Sequence, residues 1–168
     1  MRKVSCGVVA MALIVSLYGS EAWGEDPLER FNTVMEKTIV AFGNSVEEVT
    51  RRLGAPTGEE ISPDVSPHDP SAHFEWVHLT YPRRHIALFR APDKEFLVLV
   101  DTQQEGDIFG ENIRVGSSRQ DVVRELGEPL EMRDRAMIYE DEAGYTELAF
   151  FLNAQGVVER MMLSIMLD

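Results

Sequence analysis

The 168-residue chain carries 16 Lys+Arg against 29 Asp+Glu, a formal net charge of -13, and a single cysteine. So acidic a surface repels phosphate backbones and anionic headgroups, which argues against nucleic acid as a partner. One thiol cannot build a disulfide framework, so packing alone has to hold the fold together.

In chain order, Arg2 and Lys3 precede an apolar run from Val8 to Leu17, and Ala22-Trp23-Gly24 supplies small residues suited to a signal peptidase. Residues 1–24 are therefore expected to be an export signal, cleaved after Gly24 or Ala22. The apolar run is shorter than the roughly 20 residues of a comfortable membrane span, so no stable span is expected in the mature chain. Removing this segment takes away Arg2, Lys3, Glu21 and also Cys6, leaving 14 basic against 28 acidic residues. Residues 25–42 are expected to form an N-terminal helix opened by Asp26-Pro27, with Leu28, Phe31, Val34, Met35 and Phe42 as its buried side. Residues 37–42 are also compatible with an extended segment.

A fourteen-residue block then occurs twice, GNSVEEVTRRLGAP at 43–56 and GSSRQDVVRELGEP at 116–129, with seven identical positions. Chance would supply about one. The block predicts short helices over 45–53 and 118–126. Ser45 with Glu48, and Ser118 with Asp121, have capping-box spacing. Gly54 and Gly127 end each helix in a left-handed conformation, and Pro56 and Pro129 prevent continuation. These serines are read as caps, not nucleophiles.

Residues 57–70, rich in proline and acids, are expected to be a loop. Strands follow at 73–81, 85–91 and 95–102, then a linker at 103–112, the second helix, and strands near 132–141, 145–152 and 157–166. The expected fold class is thus α+β: two tandem helix-then-antiparallel-strands repeats, 43–106 and 107–168, packed as one continuous sheet with helices on one face. Each copy is helix then three strands, and the other sheet face is left open as a binding surface.

The run Asn112 to Val122, the segment Leu126-Gly127-Glu128-Pro129, the run Glu147 to Asn153 and Gly156-Val157-Val158 together resemble the small lipoprotein of the outer-membrane β-barrel assembly machinery. Two consecutive units of that kind resemble the β-lactamase inhibitor protein, whose halves form one long sheet that grips an enzyme. The resemblance covers roughly 43–166 and implies architecture more than activity. The chain lacks a lipid-attachment cysteine after its apolar run, and it lacks the inhibitor's disulfides.

No HExxH, paired CxxC, glycine-rich phosphate loop or GxSxG is present, so no catalytic residue, metal or cofactor is expected. His68, His73, His78 and His85 are read as strand and loop positions, His73 and His78 pointing to opposite faces if extended. The expected function is an exported, non-catalytic protein-binding scaffold of the bacterial cell envelope. The alternative is a secreted or periplasmic inhibitor of a hydrolase, with the loop after Pro56 or a strand-connecting turn as its plug. Candidate protein-binding residues are Glu59, Glu60, Asp64, His68 and Asp69 in the acidic stretch, with Phe74, Trp76 and His78 on the strand that follows. Phe74, Trp76, Tyr81 and Phe89 suit aromatic anchors but are read first as core, Tyr81 lying on the same side of its strand as Val77 and Leu79, and Met132, Met137, Met161, Met162 and Met166 suit either core or interface.

Overall fold

The structure is a computed structural model and describes residues 26–167. The export signal, its cleavage site and Cys6 lie outside the described residues. Helix α1 spans Pro27–Phe42, with Asp26 accepting from the Leu28 amide and Pro27 at the first position. Residues 37–42 are helical, and Phe31, Val34, Thr38 and Phe42 are buried. Helix α2 spans Val46–Leu53; strands β1 Gly58–Val65, β2 His73–Tyr81, β3 Arg84–Ala91 and β4 Lys94–Thr102 follow. A short ribbon, β5 Ile108–Phe109 with β6 Ile113–Arg114, leads to α3 Arg119–Leu126. Then come β7 Glu131–Arg133, β8 Ala136–Glu140, β9 Thr146–Leu152 and β10 Val158–Ile165.

The expectation of two tandem helix-then-antiparallel-strands repeats is corrected by this architecture. The described residues form mostly one large antiparallel sheet, ordered β1-β2-β3-β4-β10-β9-β8-β7, with strand outweighing helix 44% to 23% among them. Units of one helix and three strands are not evident. The expected loop after Pro56 is strand β1, paired with β2 over eight residues, and the expected strand near 132–141 breaks into β7 and β8. Strands after α2 are 8, 9, 8 and 9 residues long, those after α3 are 3, 5, 7 and 8. The physical reason is that the duplicated block encodes only a capped helix, whereas the sheet is set by pairing that runs unbroken through β4 and β10.

All three helices pack on one face of the sheet. Phe31, Val34 and Phe42 of α1, Val49 of α2, and Val122 and Leu126 of α3 share a core with Val77, Leu79, Ile86, Leu88, Leu97, Val100, Leu148, Phe150 and Leu163. Phe109, in the expected linker, is fully buried and meets Phe42 and Phe150 edge to face at 6.0 Å each. Just before it, Asp107 accepts two bonds from Arg84 at 2.6 Å and one from the Thr102 hydroxyl at 2.5 Å.

The short helices are anchored at both ends. Ser118 and Asp121 form a reciprocal capping box. The Ser118 hydroxyl, then its amide, then Arg124 hold the Asp121 carboxyl below its ordinary range. At the other helix, Ser45 accepts from the Glu48 amide, but Glu48 accepts from the Asn44 amide, so the box expected there is not closed. Gly54 and Gly127 take φ of +84° and +86°, and their carbonyls accept the Tyr81 and Tyr139 hydroxyls at 3.1 and 2.9 Å. Tyr81 is therefore a buried latch on the helix side of the sheet, not a surface anchor.

Two expected outcomes follow from these ends. Gly43 stands between α1 and α2 at φ +102°, and a Cβ there would meet Glu48 Cβ at 2.8 Å and α2 backbone at 2.9 Å. Gly43→Ala is expected to cost at least ~2 kcal/mol by urea unfolding, since strain and overlap add. Burial, and then the Glu128 charge, push the Tyr139 phenol above its ordinary value of 10.0. The unfolded phenol ionises first as pH rises, so this stabilisation is complete below pH ~10 and is lost above it. Tyr139→Phe is expected to cost about 1 kcal/mol at neutral pH, by loss of the bond to Gly127, and to flatten the alkaline fall in stability.

Candidate functional site

Alternation along β2 sends Val77, Leu79 and Tyr81 into the core and Phe74, Trp76 and His78 to the opposite face. That face carries none of the three helices. Register brings Trp76 opposite Phe89 and Phe89 opposite Phe96. A one-residue irregularity between Ala87 and Leu88 in the β3–β4 pairing keeps Leu88 and Leu97 inward and Phe89 and Phe96 outward.

The four rings touch one another. Phe74 lies 5.6 Å from Trp76 and 4.9 Å from Phe89; Trp76 stands edge-on to Phe89 at 5.8 Å, and Phe89 stacks on Phe96 at 5.0 Å. All four are half-buried, and no described helix covers them. The Lys94 ammonium sits 5.6 Å from the Phe89 centroid. Between Phe74, Trp76 and Phe89, the β1–β2 turn and Leu167 lies a depression of about 670 Å³. Its floor is apolar and its rim carries Asp64 and Asp93 beside Lys94, a setting that suits an aromatic or aliphatic anchor.

The remainder of the face is polar at its centre and aliphatic beyond. His78 Nδ1 lies 3.2 Å from His85 Nε2, with the rings nearly parallel. Asp101, opposite His85, accepts two bonds from Arg160 at 2.7 and 2.8 Å, and the Arg160 guanidinium covers the Phe151 ring at 4.6 Å. Phe151 and Met162 close a small cluster with Ala136, Ile138 and Ala149. Of the methionines, Met137 and Met161 are fully buried, while Met132 and Met166 are exposed.

The sequence-derived candidates divide into three places. Asp64, Phe74 and Trp76 come together, the indole donating to Asp64 Oδ2 at 3.4 Å. Glu60 is cross-strand to His78 on the same face, whereas Glu59 is cross-strand to Leu79 and so lies on the helix side. His68 and Asp69 sit in the β1–β2 turn, where Asp69 accepts from the Ser71 amide and hydroxyl at 2.9 and 2.7 Å. The Ser71 hydroxyl, then its amide, hold this exposed carboxyl below its usual range. Asp69 therefore shapes the turn. The plug expected after Pro56 is β1, with residues 66–72 as the projecting turn. Phe96, Asp101 and Arg160 were missed; for Phe96 the signal was its alternate position in the expected strand 95–102.

Neither the models of known protein families nor the curated proteins contain a match to this chain. Among solved structures, a crystal structure of an extracellular protein containing a SCP domain from Bacillus anthracis str. Ames matches at 10% identity and a TM-score of 0.38. It covers 76% of this chain, which spans under half, 45%, of that protein. The resemblance to the assembly lipoprotein and the β-lactamase inhibitor thus rests on the quoted residues alone. No helix among the described residues is long and apolar enough to cross a membrane.

Proposed function

We propose that this chain is an exported, non-catalytic protein-binding scaffold of the bacterial cell envelope, and that its partner docks on the aromatic corner of the helix-free sheet face. The observation that carries this is the contact cluster of Phe74, Trp76, Phe89 and Phe96 on a surface that no described helix covers. Contacting aromatics of this kind dominate interface energies, and a rim carboxylate such as Asp64 favours a basic partner. Export follows from reading residues 1–24 as a signal. Cross-linking the protein in its own cell identifies the partner, and the purified pair then gives a dissociation constant. Trp76→Ala is expected to weaken that constant at least tenfold, the usual cost of removing a central aromatic anchor. An unchanged constant would contradict the docking surface.

The turn at residues 66–72 supports a second reading, inhibition of a hydrolase. It is held by the Ser66 amide on Ala72 O and the Ala72 amide on Asp69 O, both at 2.9 Å, so its tip is pre-organised for insertion into a cleft. Stoichiometric titration of a hydrolase, abolished by deleting residues 67–71, is the result that reading requires.

A further inference from the structure

We infer that His78 and His85 form a chelating pair for a borderline divalent metal ion such as Zn²⁺ or Ni²⁺ on the open sheet face. The two residues are diagonal neighbours on β2 and β3, since His78 pairs with Ala87 and His85 with Thr80. Their facing ring nitrogens, Nδ1 and Nε2, are 3.2 Å apart. Zinc–imidazole bonds of about 2.0–2.1 Å meeting at a tetrahedral angle place two ligand nitrogens about 3.3 Å apart. In this structure the contact is a hydrogen bond between the two ring nitrogens, and its length matches the bite of a metal: an ion that displaces the shared proton, with the rings turned so that both lone pairs meet at one point above the sheet, needs no change in backbone spacing. Backbone pairing on either side fixes both Cα positions, so little chain entropy is lost on binding.

The surroundings favour a cation. Glu60 lies opposite His78 on β1 and Asp101 opposite His85 on β4. Asp101 is occupied by Arg160, so Glu60 is the carboxylate free to swing in as a third ligand. Among the described residues no group of three or more His, Cys, Asp or Glu is already gathered in metal-holding geometry. The site is therefore a two-nitrogen chelate with its remaining positions open to Glu60, water or an incoming side chain. Imidazole donors select zinc, nickel or copper over magnesium and calcium.

Untagged, full-length exported protein titrated with nickel chloride and zinc chloride in a calorimeter is expected to bind one ion per chain. His78→Ala and His85→Ala should each weaken binding at least tenfold, Glu60→Gln less, and His68→Ala not at all. Circular dichroism establishes that each variant is folded. In the unmodified protein, nickel is expected to broaden the ring proton resonances of His78 and His85 before those of His68 and His73, a readout that needs no substitution. Absence of saturable binding, retention of affinity in both His78→Ala and His85→Ala, or preferential broadening of His68 or His73 would each overturn the assignment.

Discussion

Replacing Asp107 by Ala is expected to lower the unfolding free energy by about 3–5 kcal/mol, the cost of stranding one partner of a buried ion pair. Asp107 is only 7% exposed and receives both forks of Arg84 together with the Thr102 hydroxyl, itself fully buried. Arg84 sits at the start of β3 and Thr102 at the end of β4, paired across the ladder. Asp107 thus ties the chain leaving β4 back to the hairpin it has just completed. Without it, a guanidinium whose side chain is 19% exposed loses its partner. The double variant Arg84→Ala/Asp107→Ala should lose less than the sum of the two single variants, because the second change removes the stranded charge. Additive losses in urea unfolding would mean that the pair is not coupled as described.

The second large effect is expected at Phe109→Ala, again about 3–5 kcal/mol. Its ring is fully buried between Phe42 of α1 and Phe150 of β9. Beside it the Gly110 amide donates to the Thr38 hydroxyl at 3.0 Å, and Thr38 donates to Val34 O at 2.7 Å, so helix and connection are joined by polar as well as apolar contact. A truncated side chain leaves a cavity that neither the helix nor the sheet can collapse to fill. A loss below about 1 kcal/mol would show that residues 103–112 form the unstructured connection that their composition suggests.

That segment illustrates where composition misleads. Ile108-Phe109 is a lone apolar pair and Ile113 stands between Asn112 and Arg114, so no periodicity marks them, yet Phe109 and Ile113 are fully buried. Strand β1 escapes notice for the opposite reason. It is exposed along almost its whole length, and its order comes from backbone pairing with β2, which side-chain pattern does not record. Pro63 is tolerated there because an edge strand can lack a donor on one side. The break between β7 and β8 falls at Asp134, at φ +50° without a glycine to announce it. Helix ends and β2, by contrast, were legible, because Ser118 and Asp121 carry a local hydrogen-bond logic and HFEWVHLTY alternates cleanly.

Half of the candidate site was legible in the same way. Period-two alternation places Phe74, Trp76 and His78 on one face without knowledge of any neighbour. Which side chains meet them depends on register, and the Ala87/Leu88 irregularity in the β3–β4 pairing lies between Phe89 and His85. The Arg160–Asp101 pair spans 59 positions and exists only because β10 lies beside β4, a topology that local spacing does not encode. Glu59 and Asp69 were grouped with Glu60 and Asp64 by proximity in the chain, whereas pairing puts Glu59 on the far face and turn geometry claims Asp69.

The docking surface is tested most directly by placing a photo-cross-linking residue at single positions in the living cell. Position 89 lies in the aromatic cluster, position 162 in the aliphatic end of the same face, and position 52 on exposed α2 across the sheet. A cross-linked product at 89, weaker at 162 and absent at 52, is the predicted result. A product at 52 with none at 89 would contradict the assignment of the aromatic corner as the surface that meets the partner.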